Sequence, residues 1–349
     1  MPPRGVLAGF VRQSRDMAEM KNLSTIIGTC AFLLILALSG RYVSGHWIFA
    51  TFASFQIQGA AIAAAIAAFA WLLHRNAVAS LLVIAALGIG IHGYSMLNDF
   101  RQDAPLPPQS WPPQLKVLSM NIMGDNSFDN GGKVADYMIA SGADVIFIQE
   151  SAPLGPHIDR IKVAYPYRLG CGAQTITCDS SLWSKRPLIA GEVKTASPIY
   201  RDRLLLASID IDGKRINFAN VHLTKPYFDN IVAIELKKIR ELTMNFADLH
   251  KGPLIVAGDF NASILTRDVR RFVSDTHLMT ANKEPETWPV DAATVGMAID
   301  HIFVADPLRF RSLERLPETF GSNHYGLMAE IWWQDLTITY PPPGVEDAG

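Results

Sequence analysis

Charge is missing from three long stretches of the first hundred residues. No Asp, Glu, Lys or Arg lies between Lys21 and Arg41, a gap of 19 residues. The next two gaps, Arg41 to Arg75 and Arg75 to Asp99, run 33 and 23 residues. A hydrocarbon core of ~30 Å is crossed by about 20 helical residues at ~1.5 Å each. The first gap therefore makes one span, about 22–40, and the third another, about 76–97. The middle gap is longer than one span needs. Its membrane part falls at about 55–73, an Ala-rich segment that ends on Trp71, Leu72 and Leu73. Trp47 to Ser54 is then an interfacial lead-in or the start of a longer tilted helix. One such run also fits a buried core helix or a signal peptide, but three in succession define a membrane anchor over residues 1–100.

These runs account for the composition. The chain has 349 residues, 49% hydrophobic and 18% charged, against ~25% charged for an ordinary soluble domain. The first hundred residues hold 6 basic and 3 acidic side chains, which leaves 25 and 30 for the rest, a net of −5. The remainder is thus a slightly acidic soluble domain, not a basic nucleic-acid tail. Three cysteines exclude a disulfide-dense mini-fold.

Flanking cations orient the spans. Arg4, Arg12, Arg15 and Lys21 precede the first, Arg75 joins the second to the third, and Arg41 stands alone between the first two. The excess of Lys and Arg marks the cytoplasmic side. The N-terminus is then cytoplasmic, and three crossings place everything after residue 98 outside. The lipid bilayer is the first partner this implies. Residues 101–114 follow as a linker; APLPPQSWPP at 104–113 carries five prolines and reads as a semi-rigid spacer. A folded domain occupies about 115–338, and 339–349 reads as a loose tail.

Within the domain, short apolar runs alternate with turn residues. Strands are expected at 115–122, 144–150, 182–188, 203–211, 215–223, 253–260, 298–304 and 326–333, with a hairpin across Asp212-Gly213. Helices are expected at 131–141 and 229–249. Asn121, Glu150, His222, Asp259, Asn261, Asp300 and His324 each stand where an apolar run ends. One such group is usually a solvated turn. Seven of them, all Asp, Glu, Asn or His, fit one shared site. Hard cations such as Mg²⁺ or Mn²⁺ take oxygen ligands, commonly one or two protein carboxylates plus substrate phosphate. Glu150 and Asp259 are suitable carboxylates. Histidines off the metal stabilise phosphate charge or move a proton, and an Asp partner fixes the tautomer. The chain carries no HExxH, CxxC, GxSxG or GxxxxGK[ST] pattern.

The ordered set LSMNI, DVIFIQE, LWSKRP, NVHL, GDFNA, IDHIFV and SNH, from about 115 to 333, resembles the endonuclease/exonuclease/phosphatase superfamily. That resemblance implies a mixed α/β (α+β) fold: a four-layer sandwich of two packed mixed β-sheets flanked by helices, here preceded by three transmembrane helices. It implies Glu150 as main metal ligand with Asn121 beside it, and Asn323 near the metal. It further implies that Asp259 orients or deprotonates the attacking water, that Asn261 contacts the phosphate, and that His222 stabilises phosphate charge. His324, paired with Asp300, contacts the phosphate and assists proton transfer. The superfamily usually reads Ser-Asp-His where this chain has Ser322-Asn323-His324, which removes a negative charge. The anchored layout, with TWP at 287–289, is similar to a bacterial subgroup with three N-terminal membrane helices, which implies a multi-pass protein of the bacterial inner membrane.

Arg267, with Arg270 and Arg271, follows the GDFN motif and is a candidate for the substrate rim. Cys171 and Cys178, seven apart, are expected to form a disulfide if the domain faces an oxidising compartment. The expected activity is divalent-metal-dependent hydrolysis of a phosphoester, with a lipid-linked or small phosphoester as the expected substrate class. A nuclease usually presents a basic face, and the net of −5 does not favour one. A non-catalytic sensor or scaffold is the third reading, with Asn323 as its support.

Overall fold

The computed structural model describes residues 4–102, 114–227 and 230–334. It divides into two compact units, Met1–Leu97 and Asn98–Gly349.

The first unit is helical: α1 (Arg4–Ser39), α2 (Trp47–Ser54), α3 (Gln56–Leu73) and α4 (Ala77–Met96). Three segments are long and apolar enough to cross a membrane: Arg15–Tyr42, Gln56–Leu73 and Ala77–Met96. The first helix starts well before the expected residue 22, because no proline interrupts the charged stretch ahead of the apolar one. The middle run breaks at Phe55, so Trp47–Ser54 is a separate lead-in and not the start of one long helix. Asn76 caps α4 by accepting from the Ala79 N–H at 2.8 Å. Along α3, Ala60, Ala63, Ala67 and Ala70 are buried and recur at three and four residues. Small side chains on one stripe let neighbouring helices approach closely. Gln56 is fully buried; it accepts from Arg41 and donates to the Ile89 carbonyl at 2.9 Å, so this amide is paired inside an apolar helix set.

The second unit holds twelve described strands: β1 (Leu115–Asn121), β2 (Val145–Gln149), β3 (Tyr167–Gly170), β4 (Ser180–Ser184), β5 (Leu188–Lys194), β6 (Leu204–Ile211), β7 (Lys214–His222), β8 (Leu254–Asp259), β9 (Leu278–Met279), β10 (Asp300–Ala305), β11 (Leu308–Arg315) and β12 (Leu327–Trp333). Its helices are α5 (Phe128–Ala140), α6 (Ile158–Ala164), α7 (Ile231–His250) and α8 (Arg267–Asp275). One sheet runs β11-β12-β1-β2-β4-β3 and the other β5-β6-β7-β8-β10-β9. Both are mixed: β1–β2 and β7–β8 are parallel, and the neighbouring pairs are antiparallel.

The two sheets share one core. Val117, Val145, Phe147 and Ile331 from the first meet Leu205, Phe218, Ile255 and Ile302 from the second. Phe147 and Phe218 face each other across it with ring centroids 6.2 Å apart. Each such side chain contributes about 1.5–3 kcal/mol on full burial. On the outer face of the first sheet, Val134, Ala135 and Met138 of α5 and Ile161 of α6 pack on Ile146, Ile148 and Trp183. On the second, α7 buries Val232, Leu236, Ile239 and Phe246, spaced by three and four residues or one repeat of seven. The four-layer arrangement is the expected one.

Two boundaries differ from the sequence reading. The run 182–188 is not one strand: β4 ends at Ser184, whose Oγ accepts from the Arg186 N–H at 3.0 Å and donates to its carbonyl at 2.8 Å, and the chain crosses over Pro187 into the other sheet. The expected spacer also begins too early. Gln102 is buried; its Nε2 donates to the Phe310 carbonyl and its Oε1 accepts the Phe310 N–H, both at 2.7 Å. Arg101 bridges to Thr280, and Asp99 pairs with Arg270. The Pro-rich 104–113 stretch and the 339–349 tail lie outside the described residues.

Candidate active site

Strand direction explains how distant residues meet. β1 and β2 run parallel with Asn121 opposite Gln149, so Asn121 and Glu150 leave their strands side by side. β7 and β8 are parallel with His222 opposite Asp259, and β10 runs back with Asp300 opposite Asp259. All of these ends reach one rim of the sandwich.

Asn121 joins the two sheets. Its Nδ2 donates to Glu150 Oε1 at 3.1 Å and to Asp259 Oδ2 at 2.9 Å, while its Oδ1 accepts from the Met123 N–H. Glu150 sits in the left-handed region at φ 55, and its Oε2 accepts the Gly124 N–H at 2.6 Å. Burial pushes its carboxyl up, but hydrogen bonds from Gly124 and Asn121 and the nearby His222 outweigh this and hold it below the usual value.

Asp259 is buried. Its Oδ1 accepts the Asn261 N–H at 2.7 Å, and Oδ2 accepts from Asn261 Nδ2 at 3.1 Å as well as from Asn121. Burial nonetheless raises its pKa, against the lowering effect of His324 and with a further raise from Asp300. Asn261 lies at φ 49 and donates to the Leu223 carbonyl at 2.9 Å, which ties the turn after β8 to the end of β7.

Two histidines flank this group. His324 Nδ1 is 2.9 Å from Asp300 Oδ2, and its Nε2 is 3.9 Å from Asp259 Oδ2. Burial lowers its pKa, yet Asp300 and Asp259 raise it to about 9. Ser322 Oγ donates to the Asn121 carbonyl at 2.7 Å and accepts the His324 N–H at 3.1 Å, so this loop is fastened to β1. His222 Nε2 lies 3.9 Å from both Glu150 Oε1 and Asp259 Oδ2. Its Nδ1 is 2.7 Å from Asp179 Oδ1.

Asp179 is a residue the sequence reading missed. Arg203 holds its other oxygen through Nε at 3.1 Å and Nη2 at 2.7 Å. Burial raises the Asp179 pKa, but His222 and Arg203 more than reverse this. The signal was the antiparallel direction of β4, whose start lies beside the end of β2, with Ser180 opposite Gln149. Thr287, from the TWP segment, was also missed as a site group: its Oγ1 accepts the Asp300 N–H at 3.2 Å.

Thus Asn121, Glu150, His222, Asp259, Asn261, Asp300 and His324 form one connected cluster. Asn323 is exposed between Ser322 and His324. Arg267 is exposed at the first turn of α8, where it acts on Asp268; no hydrogen bond among the described residues links it to the cluster. Cys171 and Cys178 are joined by a disulfide.

The donors present suit a hard divalent cation. Glu150, Asp259 and Asn121 offer oxygen, and Asp300 Oδ1 is a buried acceptor with no hydrogen-bond partner. Asp259, Asp300 and His324 present ligand atoms within 4.8 Å of one another, although the His324–Asp300 hydrogen bond already pairs two of them.

Sequence and structure comparisons agree with this architecture. The family model described as endonuclease/exonuclease/phosphatase family matches residues 118–324, and the chain belongs to that family. Members of the superfamily are metal-dependent phosphoesterases or nucleases. No curated protein sequence matches the chain. Among solved structures, a functionally unknown conserved protein from Enterococcus faecalis superposes with TM-score 0.53 at 14% identity, over 63% of this chain and 100% of that one. An endonuclease/exonuclease/phosphatase from Bacteroides vulgatus gives 0.51 at 16% identity, over 63% and 99%. The human nocturnin catalytic domain with bound sulfate gives 0.50 at 17% identity, over 64% and 100%. At these identities the likeness concerns the fold.

Proposed function

We propose that the protein is a membrane-anchored, divalent-metal-dependent phosphoester hydrolase whose site faces the extracytoplasmic side. The observation that carries this reading is the hydrogen-bonded unit Glu150–Asn121–Asp259–Asn261 flanked by the His324–Asp300 and His222–Asp179 pairs. Glu150 and Asn121 are the residues that would hold a Mg²⁺ or Mn²⁺ ion, with Asn323 as a further candidate. Such an ion neutralises charge developing on the phosphate.

The remaining roles belong to side chains. Asp259, with its raised pKa, accepts a proton from the attacking water better than an ordinary carboxylate does. Asn261 orients the water and a phosphate oxygen. His324, kept as imidazolium by Asp300, donates hydrogen bonds to phosphate oxygens and assists proton transfer. His222, steered by Asp179, stabilises negative charge from the other side.

Three apolar helices and the Cys171–Cys178 disulfide support an anchored domain in an oxidising compartment. A tether to the bilayer raises the effective concentration of membrane-resident substrates. A lipid-linked or small phosphoester is therefore the favoured substrate class. The test is a substrate panel on the detergent-solubilised full chain with Mg²⁺ or Mn²⁺: plasmid DNA, a chromogenic phosphodiester, a polyprenyl pyrophosphate and a sphingomyelin-type lipid. Turnover of a lipid-linked substrate that Glu150→Ala and His324→Ala both abolish is the expected result. Cleavage of DNA alone would establish the nuclease reading instead, and activity insensitive to both substitutions would refute the site.

A further inference from the structure

A second buried histidine stands behind this site. Asp300 and His301 open β10, so strand alternation sends their side chains to opposite faces. Asp300 meets His324. His301 points to the outer face and is 0% exposed. Its ring stacks on Phe303 at a centroid distance of 5.0 Å and meets Phe260 edge-on at 5.4 Å.

Inside this apolar box both ring nitrogens find acceptors. Nδ1 lies 2.7 Å from Glu284 Oε1, and Nε2 lies 3.0 Å from the Ala262 carbonyl oxygen. A carboxylate and a carbonyl accept and do not donate, so the ring donates twice and carries a positive charge. Burial alone would drive the proton off. The charge and hydrogen bond of Glu284, then the Ala262 carbonyl and Asp300, outweigh burial and raise the His301 pKa.

Ala262 belongs to the turn that carries Asp259 and Asn261. Two of that turn's fastenings come from inside the site: the Asn261 N–H to Asp259, and Asn261 Nδ2 to the Leu223 carbonyl. The His301 hydrogen bond comes from the opposite side of the sheet. Glu284 also lies three residues before Thr287, whose Oγ1 receives the N–H groups of Ile299 and Asp300. One short segment therefore grips the start of β10 directly and the Asn261 turn through His301.

We propose that the His301–Glu284 pair is a positioning strut, which fixes the Asp259–Ala262 turn from behind and so sets where Asp259 and Asn261 meet the phosphate. The proposal rests on the reading of those two residues as reacting groups. A charged hydrogen bond is about twice as strong as a neutral one, and near the reacting atoms small misplacements are costly.

The test uses the full chain in detergent, a chromogenic phosphodiester with Mn²⁺, and hydrogen–deuterium exchange of the peptide spanning 259–265. The double variant His301→Phe with Glu284→Gln keeps an aromatic ring and leaves no buried unpaired charge; Glu284→Gln alone is its milder companion. The double variant is expected to lower kcat about tenfold or more with KM within about twofold, and to speed exchange in 259–265 about tenfold. Glu284→Gln is expected to show the same kcat–KM pattern at about threefold. A double variant that keeps wild-type kcat, or that loses melting temperature while exchange in 259–265 is unchanged, overturns the strut. If the wild-type chain turns over no phosphoester, the hydrolase reading fails. Exchange still decides the strut in that case: faster exchange supports it and unchanged exchange overturns it.

Discussion

His324 is a cation at neutral pH because two carboxylates flank it, and this has a directional consequence. Its pKa rises from the ordinary 6.5 to about 9. The stabilisation it brings to the fold is therefore complete below about pH 6.5 and is lost as pH rises through about 9. Activity carried by the imidazolium should follow the same limb. In a pH series with Mn²⁺, kcat/KM should hold to about pH 8 and fall above about 9. Asp300→Asn removes the largest raising influence, so the limb should move to lower pH and kcat should fall about a hundredfold. A limb that stays in place would detach Asp300 from His324. Asp179→Asn should cost about tenfold in kcat by freeing the His222 ring. Asn323→Asp adds a carboxylate at the margin of the metal site; Mn²⁺ titration should show about fivefold tighter half-activation if the residue faces the ion. Asn121, Glu150, His222, Asp259 and Asn261 were legible because apolar runs end on or just before them, and Asp300 and His324 because they sit in the IDHIFV and SNH motifs. Asp179 was not, because it precedes a strand, and a residue ahead of a run gains its place only from the direction of the neighbouring strand.

At the scale of elements, long uniform strands were readable and edge strands were not. β2 and β8 are buried throughout and stand out as apolar runs. β11 alternates Leu308 and Phe310 with Arg309 and Arg311, which resembles a charged loop until β12 lies beside it. α8 offers nine residues, five of them charged, too short a stretch for periodicity to identify. Arg267, Arg270 and Arg271 are rim candidates because they follow GDFN; of these, Arg270 pairs with Asp99 and lies over the Phe100 ring. The pairing of β7 with β8 depends on one glycine. Gly258 has φ 143, and a side chain there would meet the Val221 carbonyl oxygen at 1.9 Å. Gly258→Ala should thus destabilise the domain by about 2–4 kcal/mol, measurable as a lower thermal midpoint with the disulfide intact.

For the whole molecule, compartment and metal are open to direct measurement. The chain should stay with membranes through an alkaline carbonate wash. Alkylation in denaturant without reductant should label Cys30 and spare Cys171 and Cys178; labelling of all three would argue for a reducing compartment. An alkaline-phosphatase fusion after residue 110 should be active if the N-terminus is cytoplasmic. Chelation should abolish hydrolysis, and Mg²⁺ or Mn²⁺ should restore it.

The grip of Gln102 on Phe310 means that the soluble domain takes hold of the chain before Leu115. Gln114 is held as well: its backbone N–H meets the Ile331 carbonyl and its side chain accepts from the Trp333 N–H. Gln102 and Gln114 are thus both fastened to the same body. For the same reason, a soluble fragment cut at Leu115 discards part of the domain's own fastening. One beginning at Asn98 retains it and should melt higher.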